Sequence, residues 1–192
     1  MCAEEQQIRA DVQRNRDNVL KAAVRVLSEN PEASMQDIAE ASDLGRTTVY
    51  RHFPSREVLV RALFAQLVDE ASRRFGESLE LGGSAAECLE RLGPVVAELA
   101  AEYRFLAVHR ELERGIEEPG EGDPLRVWIE RAHADGELTR LFPAEWQYRM
   151  LGAIARGAAE ELLAGRMGVG ETGEMLGRLF VRAFAADPDP TG

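Results

Sequence analysis

The segment from Leu44 to Arg56 carries arginine, threonine, tyrosine and histidine side chains and contains no carboxylate. If it forms a helix, with about 100° between successive residues and Val49 facing the core, Thr47 and Arg51 point directly away from the domain. The same geometry orders the remaining polar side chains, with Thr48 and Tyr50 on the flanks and Arg46 and His52 nearer to the domain. In a DNA major groove, an arginine can bind guanine through two hydrogen bonds, and a threonine methyl group can contact thymine. The segment therefore predicts a helix that reads DNA, with Arg51 and Thr47 on the groove floor.

Other polar side chains around this helix are suited to the phosphate backbone of DNA. Hydroxyl groups, cationic side chains and backbone amides at helix starts are the groups that bind phosphate. Tyr50 and His52 lie at the end of the predicted helix, Ser34 lies at one helix start, and Arg56 lies at another. We expect these residues to position the helix rather than to specify a base sequence.

The residues that precede this helix have the spacing of a helix-turn-helix. Such a unit needs a small residue where its second and third helices meet, a tight-turn residue four positions later, and a branched apolar residue six positions after that. Ala39, Asp43 and Val49 occupy these places. The turn requires a positive φ, which glycine adopts most easily and aspartate tolerates better than most residues.

The elements that position these residues are predicted to be helices, because apolar residues recur at spacings of three and four while strand signals are scarce. Prolines and capping residues place the ends of the N-terminal helices. The first helix ends near Asn30, the second runs from Ser34 to about Ser42, the third runs from Arg46 to Phe53, and the fourth follows Ser55.

A second set of helices is predicted beyond a glycine-containing linker at residues 76–84. Apolar stripes and caps predict one bent helix or two between residues 85 and 112, and further helices from Pro124 to Gly136, from Pro143 to Gly165, and from Thr172 to Ala185. We therefore expect an all-α protein with two parts. Residues 1–60, with a core at 15–55, would form the helix-turn-helix domain, and residues 61–192 would form a helical effector-binding and dimerisation domain.

Composition limits the classes of function. The formal net charge of −11 argues by itself against DNA as a partner, but residues 1–60 contribute only −2 of it. Cys2 and Cys88 are too few for a disulfide framework or a cysteine-based zinc site, and His109 and His133 lack metal-ligand spacing. No apolar stretch is long enough for a bilayer and no signal peptide is evident. We expect a cytoplasmic protein without a metal or cofactor.

The ten residues T-T-V-Y-R-H-F-P-S-R, which follow S-M-Q-D-I-A-E-A-S, resemble the signature of the tetracycline-repressor (TetR) family of bacterial regulators over roughly residues 15–65. Two positions depart from that pattern, because Asp43 stands where glycine is commoner and Gly45 where serine or a similar cap is usual. The resemblance implies a dimeric regulator, usually a repressor, whose C-terminal helices bind a small effector and whose last two helices form the dimer interface. At matching positions it implies these DNA contacts: Gln36, Arg46, Thr47, Thr48, Tyr50, His52 and Arg56.

Two sets of residues in the C-terminal part are candidates for the effector site and the dimer interface. The first set could line a cavity, although ordinary core packing explains it as well: Tyr103, Phe105, His109, Trp128, Trp146 and Met150. The second set offers more apolar or small surface than solvent-facing helices need, although packing within one protomer is the alternative: Ile154, Gly157, Ala158, Met175, Leu176, Leu179, Phe180 and Ala183.

Two rival functions remain open from the residues alone. The chain could be a helix-turn-helix protein without a sensor, whose C-terminal half serves only dimerisation or protein contacts. An enzyme is the other rival, but no G-x-S-x-G, H-E-x-x-H or P-loop pattern is present, and the paired acids Glu160 and Glu161 suit a solvated face. The sequence therefore favours a ligand-responsive repressor that acts as a homodimer on a palindromic operator in double-stranded DNA.

Overall fold

The computed structural model describes residues 3–113 and 120–186, and within them the all-α prediction is confirmed. The helices are α1 (Ala3–Glu29), α2 (Met35–Ala41), α3 (Arg46–His52), α4 (Arg56–Glu80), α5 (Ala85–Glu102), a short 3-10 helix (Arg104–His109), α6 (Arg110–Glu113), α7 (Pro124–Ala134), α8 (Ala144–Leu163) and α9 (Val169–Phe184). Extended pairing in the described residues is limited to one isolated bridge between Leu138 and Ala185.

The described residues form two compact units. The first contains residues 3–66 and 108–113, and the second contains residues 67–107 and 120–186. The division falls inside α4, after Gln66, whereas we expected a boundary at residue 60. The core of the first unit is built from buried side chains of its first four helices: Val19, Ala23, Leu27, Ile38, Val49, Phe53, Leu59 and Leu63.

The helix ends expected around the helix-turn-helix are confirmed. Ser34 caps α2 in a capping box with Asp37, and Ser42 is the C-terminal cap of that helix. The Ser55 hydroxyl accepts a hydrogen bond from the amide of Val58 at the start of α4. Because these caps satisfy amides and carbonyls that a helix end leaves unpaired, short helices such as α2 gain defined ends.

The second unit contains a close contact between α5 and α9. A Cβ added at Gly93 would lie 2.2 Å from the backbone nitrogen of Gly177, and one added at Gly177 would lie 2.6 Å from the carbonyl oxygen of Glu90. A Cβ at Gly173 would lie 2.9 Å from the Cα of Pro94. The two backbones therefore touch directly, which only residues without a side chain permit.

Two sequence expectations are wrong in detail. The linker was expected at residues 76–84, but α4 continues to Glu80, so the connection is Leu81–Ser84, with positive φ at Gly82 and Gly83. Gly76 lies inside α4, where a Cβ would be 3.3 Å from the ring of Pro124, so packing rather than a turn accounts for this glycine. The last helix begins at Val169 and not at Thr172, because the Thr172 hydroxyl and amide both donate to the Gly168 carbonyl one turn earlier.

Across residues 3–113 and 120–186, every helix is too short or too polar to cross a membrane. Within the same ranges, no group of three or more His, Cys, Asp or Glu side chains is arranged so that it could hold a metal ion. Cys88 is a buried free thiol, and Cys2 lies outside the described residues.

Candidate nucleic-acid interface

Helix α3 buries one side chain fully and exposes the side chains of its outward face. Val49 is fully buried, while Thr47 and Arg51 are exposed and Thr48 and Tyr50 are half-buried. This order of exposure is the one that the helical geometry predicted. The outward face therefore offers hydroxyl, methyl and guanidinium groups, the chemistry that base edges and phosphates accept.

The turn between α2 and α3 depends on Asp43. Its φ is 55°, and among the described residues it is the one non-glycine residue with a positive φ. The preceding Ser42 donates its hydroxyl to the Ala39 carbonyl at 2.9 Å, which closes the end of α2. The predicted left-handed turn residue is therefore found, with aspartate in a conformation that glycine would adopt more easily.

The start of α3 has no side-chain cap. Gly45 takes the N-cap position with φ −59° and ψ 138°, and its carbonyl accepts from the amide of Thr48 at 2.8 Å. Nothing lies within 4 Å of where its Cβ would be. Gly45 stands where serine or a similar cap is usual, but α3 still begins at Arg46. Backbone hydrogen bonds and the burial of Val49 fix this start.

Arg46 lies further from the domain than predicted. It is exposed, and its guanidinium lies 5.5 Å from the centroid of the Tyr50 ring, within the range of a cation–π contact. The long Arg46 side chain extends along α3 to Tyr50, one turn later. Helical geometry predicts only the direction of the Cα–Cβ bond, so it did not predict where the guanidinium lies. Arg46 and Tyr50 therefore form one amphipathic pair on the flank of the helix.

His52 is placed differently from the other predicted phosphate contacts. It is half-buried, and its Nε2 atom is buried without a hydrogen-bond partner in the described residues. Burial lowers the pKa of His52, and the neighbouring charges of Arg51 and Arg16 lower it further. The imidazole is therefore neutral near pH 7 and does not offer a positive charge to phosphate. Arg16, which sequence reasoning missed, lies 4.9 Å above the Phe53 ring.

The start of α2 presents two of the predicted contacts. The Ser34 hydroxyl accepts from the Asp37 amide at 3.2 Å, and the Asp37 carboxylate accepts from the Ser34 amide at 2.7 Å. The hydrogen bond from the Ser34 amide is the main cause of a lowered Asp37 pKa, so this cap stays ionised at neutral pH. Gln36 is exposed and donates to the Glu40 carboxylate at 3.0 Å.

Two arginines hold the ends of α2. Arg56 is half-buried and donates from Nη1 to the Ala33 carbonyl and from Nη2 to the Pro31 carbonyl, the latter at 2.5 Å. Arg25, on α1, donates to the Ala41 carbonyl at 2.9 Å. Sequence reasoning assigned Arg56 to phosphate and missed Arg25, because bonds to distant carbonyls leave no local pattern.

The six effector candidates are divided between the units. Tyr103 and Phe105 are buried with their ring centroids 6.3 Å apart. Trp128 and Met150 are half-buried against the core of the second unit. Trp146 is 41% exposed and stacks on Phe142 with centroids 4.3 Å apart, whereas His109 belongs to the first unit.

The second unit also has an open groove of about 460 Å³, and none of the six lines it. The groove runs between α4 and α5 and is lined by Arg74, Glu77, Ser78, Leu81, Arg91, Pro94, Val95 and Glu98. Arg74 is already held by Glu70 and Glu102, each at 2.6 Å, so its own charge is balanced within the chain. The groove gives no support to the predicted effector residues.

The dimer candidates divide by exposure. Met175 and Leu179 are each 41% exposed on one face of α9, and Gly157 is exposed on α8. Ile154 and Ala183 are half-buried and Ala158 is buried. Leu176 and Phe180 are at most 1% exposed because they face the core of their own unit, so they are not available to a partner surface.

Comparison with known proteins agrees with this geometry. Residues 19–63, from α1 into α4, match the model of the bacterial regulatory proteins of the tetR family. The transcriptional repressor LfrR of Mycolicibacterium smegmatis is 34% identical over 102 residues, which are 50% of this chain and 54% of LfrR. The regulator UidR of Escherichia coli is 35% identical over 75 residues, 38% of each chain. The chain thus spans about half or less of the length of these curated relatives.

Among solved structures, the similarity extends beyond the helix-turn-helix. The crystal structure of the TetR-like regulator LfrR in complex with proflavine aligns with a TM-score of 0.64 and 25% identity, over 88% of this chain and 94% of that one. The matched domain, the relatives and the shared architecture agree on one assignment. Residues 19–63 are therefore a domain of the tetR family of bacterial regulatory proteins, and the fold of the chain is similar to that of the TetR-like regulator LfrR.

Proposed function

We propose that the chain is a homodimeric repressor that binds a palindromic operator and releases it when a small molecule binds the second unit. The observation that carries the proposal is α3, in which Val49 is the one fully buried side chain and the exposed Thr47 and Arg51 side chains can enter a major groove. Ser34, Gln36, Arg46, Thr48 and Tyr50 would add contacts around this helix. His52 is neutral and half-buried and would contribute little.

The test of DNA reading is selection of duplexes from a randomised library by the purified protein. A dimer with two recognition helices should select two inverted half-sites whose centres are about 10 base pairs, or a multiple, apart. Binding of the selected duplex should exceed binding of a scrambled one at every salt concentration, since non-specific affinity falls steeply with salt. Indifference to sequence across that range would overturn the proposed function.

The proposed interface uses the exposed apolar residues of α8 and α9. Leu179→Glu or Met175→Glu should shift the protein towards monomer in sedimentation velocity, because a buried unpaired carboxylate opposes association. Val127→Glu on α7 is the matched control, since Val127 is 48% exposed and lies outside the proposed face. Equal effects of the three variants would remove α9 from the interface.

The sensor part of the proposal is supported by the LfrR structure, which holds proflavine, and by half-buried Trp128 and Met150 in the second unit. Proflavine itself is a suitable probe, and its fluorescence reports binding. By linkage, any weakening of operator affinity by proflavine requires an equal weakening of proflavine affinity by operator. If operator affinity does not respond to proflavine or to other planar aromatic compounds, a DNA-binding protein without a sensor becomes the better description.

A further inference from the structure

We infer that Arg56 is a positioning residue that ties the first turn of α4 to the loop before α2, and that it does not itself bind DNA phosphate. This inference rests on the proposed DNA-binding function. Both terminal nitrogens of its guanidinium donate inward, to the carbonyls of Pro31 and Ala33. A guanidinium presents its donors as a rigid planar fork, which suits two acceptors that lie close together.

Two other hydrogen bonds of the loop that Arg56 binds are local, and Ala33 in this loop is buried in the core of the unit. The Asn30 side chain accepts from the Glu32 amide at 3.1 Å, and the Asn30 carbonyl accepts from the Ala33 amide at 3.0 Å. Arg56 is different because it reaches this loop from 23 and 25 residues away. Its two hydrogen bonds therefore help to set where the loop lies in the unit, together with the burial of Ala33, while the local bonds set its shape.

The position of this loop determines where α2 begins. Ser34 directly follows it, and the proposed contacts Ser34 and Gln36 lie within the first residues of the helix. At the other end, Arg25 holds the Ala41 carbonyl of the last helical residue. With both ends held by guanidinium groups from α1 and α4, the start of α2 is fixed relative to those two helices before any DNA arrives, which lowers the cost of ordering it on binding.

The decisive variant is Arg56→Lys, which keeps the charge but replaces the two parallel donors of the planar fork with a single ammonium group on a differently shaped side chain. Binding is measured to the duplex that the wild-type protein selects, from about 50 to 300 mM salt, a range over which lost phosphate contacts change the slope. We expect affinity to fall about tenfold, as for loss of charge-assisted hydrogen bonds, with the slope of log affinity against log salt unchanged. Arg14→Lys, an exposed arginine paired with Asp11 on α1, is the control and should change neither quantity.

A direct phosphate contact predicts the opposite pattern. Arg56→Lys would then keep its affinity within about twofold, and Arg56→Gln would reduce the salt slope by about one unit. Either result would overturn the inference. Loss of the folded state in Arg56→Lys, seen by circular dichroism, would also overturn it, because Arg56 would then be a general stabiliser of the unit.

Hydrogen exchange on the free protein gives an independent readout. We expect the amides of residues 32–34 to exchange faster in Arg56→Lys, with the amides of α3 unchanged, since the tie acts on the loop alone. Unchanged exchange in the loop would overturn the inference even where DNA binding is weakened. If the wild-type protein selects no duplex, the proposed function fails, while this measurement still decides whether Arg56 holds the loop.

Discussion

Helix α3 of the first unit and helix α9 of the second are held in opposite ways. The seven residues of α3 fully bury one side chain, Val49, and expose Arg46, Thr47 and Arg51. The sixteen residues of α9 bury six, and at Gly173 and Gly177 the backbone itself lies against α5. Helix α3 thus packs against its unit mainly through one residue, whereas α9 packs along its whole length.

This difference separates the two kinds of effect that substitutions should have. On α3, an exposed side chain can change without disturbing packing, so substitutions there should alter binding and leave stability nearly unchanged. On α9, even a methyl group at a contact glycine has no space, so substitutions there should alter stability. Substitutions on the two helices can test this separation, and the largest effect is expected on α9.

Gly177→Ala should destabilise the second unit by about 2–3 kcal/mol, because overpacking at a rigid contact forces the backbones apart. The new Cβ would lie 2.6 Å from the Glu90 carbonyl oxygen and 3.3 Å from its carbonyl carbon and Cα, so it meets backbone atoms that move only with α5 itself. The free energy of unfolding is measured by chemical denaturation with a helical signal.

Gly170→Ala on the same helix is the matched control for this prediction. Nothing lies within 4 Å of a Cβ at Gly170, and its φ is not positive. Replacing a helical glycine in open space should stabilise by about 0.5 kcal/mol, through the reduced entropy of the unfolded chain. If the two alanine variants are equally stable, the contact between α5 and α9 is not as close as the structure indicates.

On α3, Arg51→Ala should relax base preference without changing the unfolding free energy. Loss of one bidentate contact should reduce discrimination at one base pair of each half-site by about 1–3 kcal/mol. The measurement compares affinities for the selected duplex and for duplexes substituted at single positions. Arg14→Ala, exposed on α1, is the control. Discrimination that is unchanged at every position would exclude Arg51 from the groove floor.

The first unit was largely predictable because its signals are local. The Ser34 and Asp37 capping box, the left-handed turn at Asp43 and the burial of Val49 each depend on residues close in sequence, and each was found where expected. The outward direction of Thr47 and Arg51 follows from helical geometry once Val49 is placed inward.

The rest could not be read in this way because it depends on partners distant in sequence. Arg56 looked like a free cation beside a helix start, and only the fold brings the Pro31 and Ala33 carbonyls to it. Likewise, Leu176 and Phe180 lie on the same apolar helix as Leu179, and the pattern does not say which of them α5 covers. The periodicity of apolar residues identifies the apolar face of a helix, but it does not say which other element covers that face.

A side-chain network also links α4 to α5, and it should contribute less than the glycine contact. Hydrogen bonds from Arg73, helped by Arg74, lower the pKa of Glu70 to about 2, and Arg74 also binds Glu102. A lowered carboxylate pKa stabilises the fold above its unfolded value near 4.5, and this stability is lost as the pH falls from there towards 2. Since the pair is partly exposed, Glu70→Gln should cost only about 1 kcal/mol at pH 7.

The measurement for Glu70 is the unfolding free energy of wild type and Glu70→Gln between pH 7 and pH 2.5. Their difference should be constant down to about pH 5 and should shrink below it, since the wild-type carboxylate then gives up its advantage by binding a proton. Glu130→Gln, exposed on α7, is the control. A difference that grew on acidification would contradict the sign of the pKa shift.

The smallest expected effect concerns the start of α3, where α2 and α5 have capping boxes and Gly45 offers no side chain. Gly45→Ser should raise the unfolding free energy by about 0.3 kcal/mol, and Gly45→Ala should lower it by about 0.5 kcal/mol, because serine can accept a hydrogen bond from a first-turn amide and alanine cannot. Space does not separate the two variants, since nothing lies within 4 Å of the new Cβ and the backbone there suits any residue. The order serine, glycine, alanine in thermal unfolding would therefore report capping alone. Equal melting temperatures for serine and alanine would mean that α3 is fixed entirely by Val49 and the turn at Asp43, so that its attachment is even more localised than the contrast with α9 implies.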